Sequence, residues 1–208
     1  MLRKIQKARR HDRVILSAAA GLGANLAYAL YHGAVGITVG SLWFLLLCAY
    51  YLMLGAVRFA TVLYGSQHKT GPEAAFSEQF LFRFVGGMLT LLAAVLAFSV
   101  YLSFQYDVAA AHSEIMMITI ATYTFYKSTM AAVNAAKARK QRSLWLIALR
   151  NIGCADAAAS LLTLQRSMLV SFPGMSGRDM ERMNALTGAG VCLLAAALGI
   201  NMILRKEK

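Results

Sequence analysis

The chain contains a series of apolar runs, each about long enough to cross a lipid bilayer. A spanning helix needs roughly 20 apolar residues, and runs of this kind recur throughout the 208 residues. In lipid the backbone must satisfy its own hydrogen bonds, so each run is predicted to be a helix. Only 14% of the residues are charged, whereas soluble domains carry about 25%. The sequence therefore predicts an all-α integral membrane protein without a sizeable soluble domain.

We predict six transmembrane helices in a single membrane domain. A basic arm over residues 1–13 precedes the spans. The spans are expected at about residues 14–31, 37–64, 83–106, 115–136, 143–169 and 185–204. His32–Gly36 is expected to be a short turn and Gly65–Phe82 a loop. Ser176 and Asp179 match a capping box, which predicts that the last helix begins before its span.

The basic residues gather at alternate ends of the predicted spans. Six lie in residues 1–13, four lie in Lys137–Arg142 and three follow Ile203. Cytoplasmic segments carry such an excess, so we predict that both termini lie in the cytoplasm. Orientation and contact with membrane lipid then account for the net charge of +12, and nucleic acid is not an expected partner.

Short similarities between the spans predict an internal repeat. Gly55–Arg58, at the end of span two, resembles Ala131–Asn134 of span four, 76 residues later. Leu198–Asn201 of span six follows after a further 67 residues, and 67 residues also separate Arg83–Gly86 from Arg150–Gly153. We interpret this as three parallel helical hairpins, all inserted in the same direction.

Two opposite charges lie near the middle of consecutive spans. Lys127 is central in span four and Asp156 in span five. A charge at the bilayer centre costs about 2.5–3.5 kcal/mol on insertion scales, so it usually has a partner or a function. We predict that these two side chains pair. Arg58, near the inner end of span two, is expected to extend to the lipid phosphates instead.

Other polar residues extend this pair into a candidate intramembrane polar site. Its predicted members are Lys127, Asp156, Arg150, Tyr126, Asn134 and Asn151. One interpretation is a site for an ion, a proton or a solute; the other is a buried pair that fastens two helices together. Arg150 precedes Asp156 by about 9 Å along a helix and on a different face. It is therefore expected to reach the inner interface or a water-filled vestibule.

The first span offers a candidate helix-docking face. Ala20 and Ala24 lie four residues apart, the small-xxx-small spacing that lets helices approach closely. Ordinary packing within the bundle and docking of another membrane subunit both fit this pattern.

No pattern predicts catalysis, a cofactor or a metal ion. The histidines fall outside the spans without metal-ligand spacing and are expected at the surface: His11, His32, His68 and His112. The cysteines lie inside apolar runs and are expected to be free thiols: Cys48, Cys154 and Cys192. The chain also lacks a glycine-rich phosphate loop and a Ser–His–Asp order, so it is not expected to be an enzyme.

Four stretches of the chain carry a resemblance to known proteins. Tyr123–Tyr126, Leu164–Gln165, Met168 and Met183–Gly188 resemble a group of uncharacterised six-span bacterial membrane proteins. The location that we expect from this resemblance is the bacterial inner membrane. Arg166 departs from that pattern, and the resemblance implies architecture and location only. In architecture the chain is also similar to the substrate-binding subunits of energy-coupling vitamin transporters, which have six spans, about this length and a small-xxx-small first span.

These observations predict a membrane protein that transports a small solute or ion, or serves as a subunit for doing so, through the polar site in spans four and five. The alternative is a non-catalytic membrane partner that assembles or regulates another membrane complex.

Overall fold

The computed structural model of the protein is a bundle of six α-helices. The structure describes residues 2–66, 72–105, 114–137, 143–171 and 176–205, and these contain no strand. The helices are α1 (Leu2–Val39), α2 (Leu42–Ser66), α3 (Pro72–Gln105), α4 (Glu114–Lys137), α5 (Leu144–Ser171) and α6 (Gly177–Leu204). The all-helical fold predicted from the apolar runs is confirmed.

Four helices are long and apolar enough to cross a membrane. Within the described residues these stretches are Leu42–Gly65, Glu78–Leu102, Leu144–Leu169 and Gly177–Leu204. They belong to α2, α3, α5 and α6. Such helices indicate a protein embedded in a membrane, because their apolar surface is too extensive for one small bundle to bury.

The expected turn at His32–Gly36 is not a turn, because α1 continues to Val39. Gly36 faces α2, and a Cβ added there would lie 2.9 Å from the Leu45 side chain. The glycine therefore allows two helices to pack closely rather than ending one of them. The chain reverses at Gly40, whose φ of +67° is a conformation that favours glycine.

The start of α3 also differs from expectation. Pro72 opens this helix, so the part of the expected Gly65–Phe82 loop from Pro72 onward is helical. Proline is tolerated in the first helical turn because its missing N–H would have no helical acceptor there. The rest of the loop, residues 67–71, lies outside the described residues.

The predicted start of the last helix is confirmed. Ser176 is the N-cap of α6, and its Oγ accepts a hydrogen bond from the Asp179 backbone N at 3.3 Å. The same hydroxyl donates to the Asp179 carboxylate at 2.6 Å. The first of these bonds satisfies a backbone N–H that a helix start leaves unpaired, and the second orients the Ser176 hydroxyl.

By chain order the helices form two groups of three, α1–α3 and α4–α6. In the first group α1 packs on α2 and α2 on α3; in the second, α4 packs on α5 and α5 on α6. The contact of α3 with α6 is the most extensive among the described residues, and it joins the two groups together with the packing of α2 and α3 against α5. Buried side chains at this junction include Tyr50, Leu54, Leu89 and Ile152. The repeat of three hairpins stays a prediction.

The α3–α6 junction depends on two glycines. A Cβ added to Gly86 would lie 2.9 Å from the Gly199 carbonyl oxygen, and one added to Gly199 would lie 2.7 Å from the Gly86 carbonyl oxygen. The two backbones are therefore in direct contact. Within a membrane such contact supplies the van der Waals packing that holds helices together.

A carboxylate from α3 caps the start of α5. Glu78 Oε1 accepts hydrogen bonds from Ser143 Oγ and from the Trp145 backbone N, both at 2.7 Å. The Trp145 indole donates to the Thr61 carbonyl of α2 at 2.7 Å. One end of α5 is thereby joined to two other helices, and the negative charge lies where the helix dipole favours it.

We expect Glu78→Ala to lower the stability of the protein by about 1–2 kcal/mol, the range for loss of a helix cap and its charge. Glu78→Gln should have a smaller effect because it keeps an acceptor. Thermal unfolding in detergent measures both variants, with the exposed Glu181→Ala of α6 as the matched control. Equal melting temperatures for Glu78→Ala and Glu181→Ala would contradict the capping role.

Candidate functional site

Asp156 lies at the centre of a buried cluster of charges. Asp156 lies on α5 and is only 1% exposed. Lys127 Nζ of α4 lies 2.6 Å from its Oδ1, and Arg58 Nη2 of α2 lies 2.9 Å from its Oδ2. The structure thus forms the expected contact between Lys127 and Asp156, and it adds a second cation from another helix.

The position of Arg58 differs from the expectation that it extends to lipid phosphates. It lies eight residues before the end of α2 at Ser66, about 12 Å along the axis. Its guanidinium is buried and binds the carboxylate. A Cβ on Gly21 of α1 would overlap this guanidinium. A glycine at position 21 therefore makes the room that lets Arg58 turn inward.

Asn25 of α1 completes the surroundings of the carboxylate. It is fully buried. In the amide orientation that satisfies the carboxylate, its nitrogen donates to both Asp156 oxygens at 3.2 Å. Side chains from α1, α2 and α4 therefore contact a single carboxylate of α5.

The cluster contains more positive than negative charge. With Arg58 and Lys127 protonated and Asp156 ionised, its formal charge is +1. Burying ions is costly, and a pair offsets that cost only when its hydrogen bonds are satisfied. Arg58 Nε is buried and makes no hydrogen bond to any described residue. A buried ion pair that only held two helices together would need one cation for its carboxylate. The cluster contains two.

Three tyrosine rings surround the Lys127 ammonium. Its Nζ lies 5.4 Å from the ring centroid of Tyr123, 5.6 Å from that of Tyr28 and 5.9 Å from that of Tyr51. We call these three rings the tyrosine cage. The rings of Tyr28 and Tyr123 stack with centroids 5.6 Å apart, which links α1 to α4. Ring faces attract cations at such distances.

A stripe of polar side chains leads away from the cluster along α5. Its members are buried, lie on one helix face and follow one another at intervals of four, three and three residues: Asp156, Ser160, Thr163 and Arg166. The Arg166 guanidinium lies 4.5 Å from the Trp43 ring, near the end of the helix. In the other direction the same face carries the buried apolar residues Ile152 and Ala148. The polar stripe therefore extends towards one end of the bundle.

The remaining predicted site residues lie elsewhere. Arg150 donates to the Oδ1 of its neighbour Asn151 at 3.1 and 3.2 Å. Tyr126 is 64% exposed, and Asn134 is exposed on the same helix. Of the six predicted members, only Lys127 and Asp156 belong to the charge cluster; Arg150 and Asn151 contact each other apart from it.

The residues of this site outside the six predicted members differ in how clearly the sequence indicates them. Tyr123 lies four residues before Lys127 and so shares its helix face, whereas the neighbouring Tyr126 points about 100° away. Helical spacing could therefore have selected Tyr123. Arg58 was visible as an ionisable residue inside an apolar run. Asn25 carries no charge that would have indicated it, although it lies 102 residues before Lys127.

The candidate docking face on α1 is partly open. Ala20 is exposed and Ala24 is partly buried. The face that is buried in the bundle carries Ala18, Asn25 and Ala29. Ala20 therefore remains available for contact with lipid or with another helix.

His32 is buried rather than at the surface, because α1 continues past the expected turn. Its ring lies 5.4 Å from the Tyr51 ring, and its Nδ1 lies 2.8 Å from the Tyr28 carbonyl oxygen. The side chains of His11, His68 and His112 are not among those that the structure describes. Among the described residues, no group of three or more His, Cys, Asp or Glu could hold a metal ion. The three cysteines are free, as expected.

Comparison of the chain with known protein families, with curated proteins and with solved structures finds no match.

We expect Asp156→Asn to destabilise the protein more than Lys127→Met does. The first change leaves two buried cations without their anion, whereas the second leaves Arg58 still paired with Asp156. Breaking a buried pair typically costs about 3–5 kcal/mol, and less in membranes, where the unfolded helices also find partners.

The double variant Lys127→Met/Asp156→Asn should recover part of the loss, because only Arg58 then lacks a partner. Unfolding of all four proteins in bicelles gives the coupling energy. Strictly additive effects would show that the two charges do not interact.

Proposed function

We propose that the protein is a six-span transporter, or transport subunit, of the bacterial inner membrane. It moves a small solute or ion through the site at Asp156. The observation that carries the proposal is the buried carboxylate held between Arg58 and Lys127 at the junction of the two helix groups. Ionisable groups in that position are costly and typically serve a transported ion or solute.

Exposed apolar side chains on α1 and α4 support six spans rather than four. On α1, Leu30 is 75% and Ile37 76% exposed; on α4, Ile118 is 66% and Phe125 62% exposed. Large apolar residues so exposed fit contact with lipid. Lys127, the charged residue in the middle of α4, contacts Asp156 inside the bundle rather than lipid, so its charge does not prevent this helix of lower hydropathy from spanning.

A second repeat, of longer period, supports two halves instead of three hairpins. Ser41–Trp43 at the start of α2 recurs as Ser143–Trp145 at the start of α5, 102 residues later. Leu91–Ala94 of α3 recurs at the same interval as Leu193–Ala196 of α6. The chain has only two tryptophans, and both belong to this repeat. The interval makes α1–α3 equivalent to α4–α6 by sequence, and the α3–α6 and α2–α5 contacts then join equivalent helices.

An odd number of helices in each half would insert the second half upside down. The connection between α1 and α2 is uncharged, whereas the equivalent connection between α4 and α5 carries the basic residues of Lys137–Arg142. Inverted halves are typical of secondary transporters, whose sites lie at midplane where the halves meet. Asn25 and Lys127 occupy equivalent positions, 102 residues apart, and both contact Asp156.

The polar stripe of α5 supports transport over a purely structural role. Ser160, Thr163 and Arg166 continue from Asp156 towards one end of the helix. A fastening between helices needs no such continuation. A path that is polar on one side of a site and apolar on the other fits a site open to one side of the membrane at a time.

A non-catalytic membrane partner is the second candidate function. The exposure of Ala20, with Ala24 one turn later, favours it because small residues let another helix approach. The resemblances noted in the sequence are compatible with either function.

We expect purified protein in lipid vesicles to carry a flux that depends on Asp156. Vesicles containing a pH-sensitive dye receive gradients of protons, Na⁺, K⁺ and small organic cations in turn. Asp156→Asn should reduce the flux at least about tenfold, since the carboxylate contributes an interaction that a neutral amide lacks. The exposed Tyr126→Phe is the control and should transport like wild type. Absence of flux for every gradient would favour the partner function.

The orientation has its own test. In a variant without Cys48, Cys154 and Cys192, Ser176→Cys should react with a membrane-impermeant maleimide on intact cells. Ser66→Cys should react only after permeabilisation, because the basic segments are predicted to be cytoplasmic. Reaction at position 66 in intact cells would reverse the assigned orientation.

A further inference from the structure

We propose that the tyrosine cage and Asp156 form a binding site for the primary ammonium group of a solute, which takes the place of the Lys127 ammonium. The inference rests on the proposed transport function and specifies its substrate class as protonated primary amines. Lys127 then acts as a tethered occupant that fills the site between transport events.

The site has the composition of an ammonium receptor. Three electron-rich ring faces surround the cation, and a carboxylate lies 2.6 Å from it. Aromatic rings arranged in this way are how proteins recognise organic ammonium ions. The walls come from different helices, with Tyr28 on α1, Tyr51 on α2 and Tyr123 on α4. Three helices contribute the rings and a fourth contributes the carboxylate. A buried lysine that had only a structural role would need fewer contacts than these to stabilise its charge.

The hydrogen bonds favour a primary amine over other cations. Lys127 Nζ donates to Asp156 Oδ1 at 2.6 Å and to Ser160 Oγ at 2.9 Å. A quaternary ammonium has no N–H and leaves both acceptors unpaired, which is costly in a buried site. A hard metal ion prefers several oxygen ligands, whereas most walls of this site are ring faces. A primary ammonium on an alkyl chain satisfies the acceptors and the rings together.

Lys127 is placed so that it can leave without dismantling the site. It lies on α4, which packs on α5. Its side chain is 11% exposed, and its ammonium is carried by a flexible four-carbon stem. Withdrawal of Lys127 leaves Asp156, Ser160 and the rings of Tyr28 and Tyr51 in position, because these belong to other helices.

The charge balance also fits an exchange of one cation for another. While Lys127 is absent, Arg58 still neutralises Asp156 through its 2.9 Å contact. When a solute ammonium enters, the cluster regains its earlier formal charge, so no additional charge has to be buried. This gives the second cation of the cluster a role: Arg58 holds the carboxylate while the occupant of the cage changes.

The test is chemical rescue of Lys127→Ala. The alanine retains Cβ, and n-propylammonium matches the part of the side chain that is removed. We expect the variant to melt below wild type in detergent, and n-propylammonium chloride to raise its melting temperature by about 3–6 °C at roughly ten times its Kd. Equal concentrations of 1-propanol, tetramethylammonium chloride and sodium chloride should not produce this rise. A rise of equal size with any of them would overturn the proposal.

A matched pair of variants locates the binding. Tyr123→Leu, added to Lys127→Ala, removes one wall of the cage and should reduce the rescue, whereas Tyr126→Leu on the same helix should not. Asp156→Asn in that background should abolish it. Identical rescue in the Tyr123 and Tyr126 variants would place the amine elsewhere and refute the inference.

If Lys127→Ala folds only when purified with n-propylammonium, its unfolding on removal of the amine supports the site. If it never folds, saturation-transfer NMR of n-propylammonium with wild type, Tyr123→Leu and Tyr126→Leu decides. Transfer that is lost only in Tyr123→Leu supports the proposal, and transfer that is absent from wild type or equal in all three overturns it.

The rescue is measured without any flux, so it is independent of the vesicle assay. Flux of another solute without amine rescue would keep the transport proposal and reject this substrate class. Rescue without amine flux into vesicles would keep the ammonium site and reject transport.

Discussion

The need to neutralise the Asp156 carboxylate governs the centre of this bundle. A buried carboxylate is expensive without cationic and hydrogen-bonding partners. The bundle supplies Arg58, Lys127 and Asn25 from three helices. Each contact restricts the rotation and depth of the helix that provides it. The relative positions of α1, α2, α4 and α5 therefore depend on this one acid.

Close helix contacts make this convergence possible. Arg58 turns inward because position 21 has no side chain to obstruct it. Gly86 and Gly199 bring α3 against α6 at backbone distance, and Gly36 does the same for α1 and α2. In lipid the hydrophobic effect provides little force between helices, so close packing and buried polar contacts supply the stability.

The charge cluster joins the first three helices of the chain to the last three. Arg58 comes from the first group and Asp156 from the second, so the ion pair lies where the groups meet. In an inverted pair of halves, that junction is the region that rearranges when access changes from one side of the membrane to the other. The proposed exchange of cations at Lys127 would then be linked to relative movement of the halves.

The sequence by itself determined the class of fold and the position of two charges near the middle of their helices. Length and apolar content require helices in lipid, and position along an apolar run places Lys127 and Asp156 near mid-helix, because a helix rises a constant distance per residue. It also determined the start of α6, since the Ser176–Asp179 contact is local.

Tertiary structure decided which faces meet. Arg58 could turn to lipid phosphates or to Asp156, and only the packing of α1 and α2 directs it inward. By sequence alone, Gly36 could end a helix or allow close contact with another helix. The packing of α2 against it shows that it allows close contact. The reason is physical: position along a helix and caps follow from local geometry, whereas the rotation of each helix about its axis is determined by its neighbours.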